Sequence, residues 1–165
     1  METRGIPGRI KELTTELEYN FKDNRRYYFI LGITDFPNPK ESEEFILAIK
    51  ENLSHNGLPC ESIDLFKDVV AKGELSLGDT GNTFNEIIDW IEKRAGSDKR
   101  CLIIYEIDPL LATWNDGDIR AFFLKALHHD GIRMPVLLIS HLAGKFNLPK
   151  KETGQGKVLD FMVNI

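Results

Sequence analysis

The feature that most constrains this chain is a set of apolar segments separated by segments with helical periodicity. Residues 26–32, 100–108 and 134–140 are each dominated by apolar side chains. Strands that are buried on both faces have this composition, whereas strands with one face in water alternate apolar and polar residues. The sequence therefore predicts a parallel β-sheet whose central strands are covered by helices on both faces.

Between these segments, apolar residues recur at steps of three and four, as on one face of a helix. The stripes are Phe45, Ile46, Ile49 and Leu53; Phe84, Ile87, Ile88 and Ile91; and Ile119, Phe122, Phe123, Ala126 and Leu127. Residues 59–66 and 158–165 read as two further strands, the last at a sheet edge. Strand, helix and strand over residues 26–66 form a right-handed βαβ unit. We predict an α/β fold with a mostly parallel sheet of about five strands.

The chain has 165 residues, the size of one domain. We therefore predict a single domain over residues 1–165, with residues 1–24 forming an N-terminal helix packed on its side. Asn38 and Asp118 are predicted to cap the helices that follow them. Residues 73–82 and 144–157 contain three glycines each and are predicted to be loops.

Composition excludes several classes of protein. The net charge of −5 argues against broad attraction to nucleic acid. The two cysteines, Cys60 and Cys101, have no neighbours at metal-ligand spacing, which indicates free thiols in a reducing compartment. We expect no signal sequence, because no apolar stretch follows the first basic residues, and no apolar run reaches the ~20 residues needed to span a bilayer. We expect a cytoplasmic protein without a metal or cofactor.

The loop after the first strand lies where a nucleotide-binding domain carries its phosphate loop. Such a loop needs glycines, so that several backbone N–H groups turn towards the phosphates, and a lysine at a set spacing. Here Pro37 and Pro39 remove two N–H donors, Asp35 adds repulsion, and Lys40 is displaced from the required spacing. The sequence predicts that conventional ATP binding is absent from this loop.

Ligands of open parallel sheets bind beyond the carboxyl ends of the strands. Glu106 and Asp108 resemble the acidic strand end of an ATPase, and because they lie two apart on the predicted strand, we expect both to face the same side. His141 follows the fourth strand and could form an acid–base pair with Asp35 or Asp108. The alternative for Asp108 is a structural role as a helix cap or loop residue. We take Asp35, Lys40, Glu106, Asp108 and His141 as candidates at this ligand edge, and assign no catalytic residue.

The segment near the C-terminus is locally basic. Lys145, Lys150, Lys151 and Lys157 lie in or next to the predicted glycine-containing loop. They could contact nucleic acid or an acidic partner, and the alternative is a solvated loop.

The order of these segments resembles the BrxB family of BREX phage-defence systems. The resemblance lies in an aromatic-rich strand at residues 26–31, a Ser-Ile-Asp-Leu strand at 62–65, an apolar strand and loop at 102–111, and a Pro-Val-Leu-Leu strand at 135–139. A closing Leu-Asp-Phe strand follows a glycine-containing loop. The chain departs from the family at Ser140 and His141, where members usually have Pro-Gly.

This resemblance implies a degenerate phosphate-loop-like core that serves as a non-enzymatic adaptor. The implied partners are other defence proteins: a methyltransferase, a PglZ-like protein and a large ATPase. The alternative is a nucleotide-binding or regulatory ATPase-like domain with an unconventional pocket. A nucleic-acid-binding module that uses the basic loop is the third hypothesis.

Overall fold

The computed structural model describes residues 11, 14–15, 29–34, 39–71, 73, 80–95, 101–129, 135–146, 148 and 157–161. Its strands are β1 (Phe29–Ile33), β2 (Cys60–Asp64), β3 (Cys101–Tyr105), β4 (Val136–Ser140) and β5 (Lys157–Asp160). Its helices are α1 (Pro39–His55), α2 (Thr80–Ala95), α3 (Asp108–Leu111) and α4 (Asp116–His128). A π-helical turn spans Phe66–Val70, and a 3-10 turn spans Leu142–Lys145.

The strands form one sheet in the order β2-β3-β4-β1-β5, and every neighbouring pair is parallel. The predicted α/β class with a parallel sheet is therefore confirmed. The chain crosses from β1 past β4 and β3 to reach β2, and each later connection runs back in the opposite direction. Because parallel crossovers are right-handed, connections that run in opposite directions place their helices on opposite faces.

Two cores result, one on each face of the sheet. On one face, α1 packs its apolar stripe on strand residues that include Ile30, Ile103 and Leu137. On the other face, α2 and α4 cover residues that include Leu31 and Leu138. None of the helices in the described part of the chain has the length and apolar content needed to cross a membrane.

The centre of the sheet is tightly packed at Gly32. All five residues of β1 are buried, since β1 lies between β4 and β5. A Cβ atom at Gly32 would lie 2.8 Å from Ile139 Cδ1 and 2.9 Å from Phe161 Cε2. The absence of a side chain at Gly32 lets the buried Phe161 ring close over β1, where it also meets Phe45 edge-on at 5.2 Å.

Several predicted boundaries were wrong for local reasons. The third strand ends at Tyr105 and not at Asp108, because Pro109 has no N–H for the ladder and instead suits the first turn of α3. Asn115, not Asp118, caps α4: its Oδ1 accepts the Asp118 N–H at 2.8 Å. The Asp118 carboxylate in turn accepts a hydrogen bond from the Asn115 side-chain amide at 3.1 Å.

The two predicted loops are shorter than expected. Helix α2 begins at Thr80, so its first turn takes in Gly81 and Asn82, and the 3-10 turn takes in Gly144 and Lys145. The described part of the last strand ends at Asp160 rather than Ile165. The predicted cap at Asn38 and most of the predicted N-terminal helix lie outside the described residues.

We predict that Gly32→Ala destabilises the fold by about 2 kcal/mol, because the added methyl group overpacks the contact with Ile139 and Phe161. Urea unfolding of the full chain measures this loss. In the matched double variant, Phe161→Leu should cost less in the Gly32→Ala background than in the wild type, because the smaller side chain relieves the clash. Strictly additive losses would contradict the proposed contact.

Candidate functional site

The connections from β1 and β4 leave the sheet in opposite directions. These strands are neighbours, but the chain leaves β1 towards β2 and leaves β4 towards β5. Open parallel sheets bind ligands where the connections of two neighbouring strands run in opposite directions. We call the region beyond the carboxyl ends of the strands the carboxyl edge. It contains Thr34 after β1, Glu106 after β3 and His141 after β4. Of the sequence candidates there, Asp35 lies outside the described residues.

Asp108 joins the ends of β3 and β4 across this edge. Its Oδ1 accepts a hydrogen bond from the Ser140 hydroxyl at 2.5 Å, and its Oδ2 accepts from the His141 backbone N–H at 2.9 Å. The His141 Nδ1 also lies 2.9 Å from Oδ2. The Asp108 side chain is only 16% exposed, so its carboxylate is held almost wholly by these protein groups. The predicted contact between Asp108 and His141 is thus present, while an acid–base role for it stays a prediction.

The geometry does not make Ser140 a nucleophile. Its hydroxyl donates to Asp108, while the His141 imidazole binds the same carboxylate instead of the serine oxygen. A serine nucleophile needs a base that takes the hydroxyl proton, normally a histidine within hydrogen-bonding reach. Ser140 Oγ also accepts the Ala143 N–H at 3.2 Å, which secures the 3-10 turn. The triad-like set of side chains therefore fixes the backbone at the end of β4.

Glu106 was predicted to share a strand face with Asp108, and this was wrong. Its φ of +59° lies in the left-handed region, so the strand alternation is broken directly after Tyr105. This conformation lets the chain turn from β3 into α3 within two residues, at a cost for a residue with a Cβ atom. A single sequence carries no signal for it, because glycine is the usual residue at such a position.

Carboxylates gather where β2 and β3 end. Partial burial raises the pKa of Glu106, and the nearby charges of Asp64, Asp108 and Glu43 raise it further, while His141 lowers it. Burial and the charges of Asp64, Glu43, Asp68 and Glu106 likewise raise the pKa of Tyr105. We call Glu43, Asp64, Asp68 and Glu106 the acidic cluster. It makes this half of the carboxyl edge unfavourable for a phosphate.

Two members of the acidic cluster also hold local structure. Asp64 Oδ1 accepts the Lys67 N–H at 2.9 Å, and Asp68 Oδ2 accepts the Asp64 N–H at 3.3 Å. These bonds satisfy backbone groups where β2 turns into the π-helical turn. No group of three or more His, Cys, Asp or Glu side chains within the described ranges has the geometry to hold a metal ion.

The basic candidates are dispersed. Lys40 lies exposed in the first turn of α1. Lys145 lies 3.4 Å from Asp116, an exposed ion pair, and its Nζ lies 6.0 Å from the centre of the Phe146 ring. Lys157 begins β5, whereas Lys150 and Lys151 lie outside the described residues. Lys40, Lys145 and Lys157 therefore lie on three different elements, and Lys145 is engaged by a carboxylate.

Sequence reasoning treated Cys60 and Cys101 as unrelated, yet they are register partners on β2 and β3. Both are free thiols. The hydrogen bond with Cys60 and complete burial raise the pKa of Cys101 well above its usual range. Because the thiolate is the reactive form of cysteine, Cys101 is inert as a nucleophile.

Comparison with known proteins gives distant similarities. No established family and no curated protein matches the sequence. A chain in the structure of Drosophila ORC bound to AT-rich DNA and Cdc6 matches with a TM-score of 0.48 and 12% identity, over 98% of this chain and 29% of its own length. A chain of Drosophila ORC bound to DNA matches with a TM-score of 0.41 and 15% identity, over 96% and 32%. This chain spans about a third of these neighbours, and both similarities are too distant to assign a function.

We predict that Asp108→Ala destabilises the fold by about 2–3 kcal/mol, because it leaves the buried Ser140 hydroxyl and the His141 N–H without an acceptor. Ser140→Ala should cost less, about 1–2 kcal/mol, since it removes one donor to Asp108 and the acceptor of the Ala143 N–H. Urea unfolding of both single variants and the double variant measures the coupling. Independent effects of the two substitutions would contradict the hydrogen bond between Asp108 and Ser140.

The Glu106→Gln variant should be more stable than the wild type at neutral pH, because the folded state raises the pKa of this carboxyl and so disfavours its charge. The gain should shrink as pH falls and vanish below the ordinary value of 4.5, where the carboxyl is protonated in both states. Glu106→Gly removes the same carboxyl, so it should show the same pH-dependent gain and, at every pH, up to about 1 kcal/mol more than Glu106→Gln, because it relieves the left-handed backbone. Thermal unfolding between acid and neutral pH measures both effects, and a pH-independent gain for Glu106→Gln would contradict the first.

Proposed function

We propose that this chain is a non-enzymatic assembly component of a BREX-type phage-defence complex, built on a phosphate-loop-like α/β core that no longer binds nucleotide. The observation that carries the non-enzymatic part is the hydrogen bonding of Asp108. Its carboxylate is engaged by Ser140 and His141, at the position where a nucleotide-binding sheet would present an acidic strand end to magnesium.

The charge of the carboxyl edge supports the same proposal. A triphosphate placed there would face the acidic cluster beside Asp108, with Lys40 exposed on the first turn of α1. Pro37 and Pro39 also remove two backbone N–H groups that a phosphate loop would supply. The loss of donors and the surplus of carboxylates act together against phosphate binding.

The defence role rests on the BrxB-like order of segments in the sequence. In this proposal the protein is cytoplasmic and joins a methyltransferase, a PglZ-like protein or a large ATPase. Its contribution is a rigid surface and not a reaction, since a sheet packed on both faces holds its edges in fixed positions.

The nucleotide half of this proposal is tested by calorimetry of the full chain with ATP, ADP and magnesium. We expect no saturable heat at millimolar nucleotide. Saturable binding that Asp108→Asn weakens would instead support the ATPase-like alternative, because Asp108 would then contribute to a pocket.

Co-expression of the tagged chain with a BREX methyltransferase and a PglZ-like protein tests the assembly half. We expect at least one of them to co-purify through a sizing column in a fixed ratio. A chain that elutes alone in the presence of every such partner would overturn the defence assignment, whatever the calorimetry shows.

A further inference from the structure

Among the described strands, β2 is an outer strand of the sheet, with no strand paired on its outward side. It pairs with β3 and is the last strand in the order. The Cys101 N–H donates to the Pro59 carbonyl at 3.1 Å, so the backbone groups of residues 59, 61 and 63 point towards β3. Because the direction alternates along a strand, those of Cys60, Ser62 and Asp64 point outward.

The outward backbone groups of β2 differ in whether they already have a hydrogen-bond partner. The Asp64 N–H is taken by the Asp68 carboxylate at 3.3 Å, which closes the carboxyl end of the edge. At Ser62, in the middle of β2, no hydrogen bond from any described residue reaches the outward N–H or carbonyl. An exposed strand edge of this kind is a template for pairing with another chain.

A groove runs beside this edge on the face that α1 covers. Cys60 packs against the core on that face, so the side chain of Ser62, two residues on, faces the same way. The groove has a volume of about 540 Å³ and is lined by Leu47, Lys50 and Ser54 of α1 together with Pro59 and Cys60. Leu47 is 55% exposed, which leaves an uncovered apolar surface directly beside the free edge.

Charge varies along this surface. Helix α1 runs back from the carboxyl edge, and Glu43, one turn before Leu47, belongs to the acidic cluster with Asp64 and Asp68. Lys50 and Glu51, which carry opposite charges, both line the groove. A strand laid beside β2 would therefore meet an apolar residue at Leu47 and carboxylates at the carboxyl end. Lys67 is the neighbouring cation in the described π-helical turn.

We propose that the free edge of β2 binds an extended segment of a partner protein by β-strand addition. The segment carries an apolar side chain that packs on Leu47 and a lysine or arginine that meets Glu43 and Asp68. Main-chain hydrogen bonds to Ser62 provide the pairing, and the α1 groove and the acidic cluster provide the specificity. This proposal stands on the sheet edge, so it holds whether or not the partner belongs to a defence complex.

The test begins with a phage-displayed library of random peptides of strand length, selected on the immobilised full chain. We expect enrichment of sequences that alternate apolar and polar residues and carry lysine or arginine near one end. A selection that enriches nothing, or enriches peptides without a basic end, would overturn the proposal.

An enriched peptide is then made synthetically and its affinity is measured by fluorescence anisotropy. Ser62→Pro removes the outward N–H without touching the ladder to β3, and it should weaken binding by about tenfold. Ser62→Ala keeps the N–H and is the matched control. Equal affinity for both variants would show that the peptide binds elsewhere.

Charge is tested on α1 with a second matched pair. Glu43→Lys should weaken binding by about tenfold because it reverses a charge at the basic end of the peptide. Glu44→Lys makes the same change at the adjacent exposed position, which points about 100° away around the helix. An equal loss in both variants would leave only non-specific attraction and would contradict the proposed site.

Two measurements keep the test valid if Ser62→Pro fails to fold. On the wild-type chain, N-methylation of the peptide amides on one of its edges should abolish binding, and methylation on the other edge should be tolerated. If N-methylation on neither edge of the peptide weakens binding, strand addition is excluded. Sedimentation of the wild-type chain, with and without the peptide, distinguishes a second copy: a dimer that excludes the peptide would assign the edge to self-association and overturn the proposal.

Discussion

The arrangement at the carboxyl edge depends on the hydrogen bonds of one carboxylate. Asp108 begins α3 directly after β3, and its two oxygens hold the Ser140 hydroxyl and the His141 N–H at the end of β4. Ser140 in turn fixes the 3-10 turn through the Ala143 N–H. The connection from β3 to α3 and the connection from β4 to the 3-10 turn are thereby held in one geometry. The carboxylate that could have ordered a metal ion instead serves as an internal acceptor.

The surfaces of the sheet, and above all its outer strand β2, are where we place the function of this protein. Two apolar cores cover both faces, and the carboxyl edge is acidic where β2 and β3 end. In our proposal, function therefore lies on surfaces that the core holds rigid. The outer strand β2, with Leu47 on one side and carboxylates at its end, has the properties of a protein-binding edge. A role in assembly and a free strand edge are consistent with one another, although each rests on its own observations.

Features that depend on burial could be predicted from the sequence. Features that depend on the backbone conformation of a single residue could not. Apolar runs and helical stripes reflect contact with a core, so the class of fold and the helices α1, α2 and α4 could be predicted. The meeting of Asp108 with His141 followed from both residues lying after strands. The left-handed backbone at Glu106 leaves no trace in composition, and the serine partner of Asp108 reads only as the end of an apolar strand. The order of strands, and hence the free edge at β2, depends on which strands become neighbours, and connection lengths do not specify that.

Hydrogen exchange at the amides of His141 and Ala143 tests the central claim most directly. If Asp108 and Ser140 hold these two N–H groups as the structure has them, both amides should exchange slowly, with protection near that of the β4 amides. The protection should stay the same when magnesium and ATP are added. Exchange as fast as in an exposed loop, or protection that appears only with nucleotide, would mean that the carboxyl edge is open and would contradict this account.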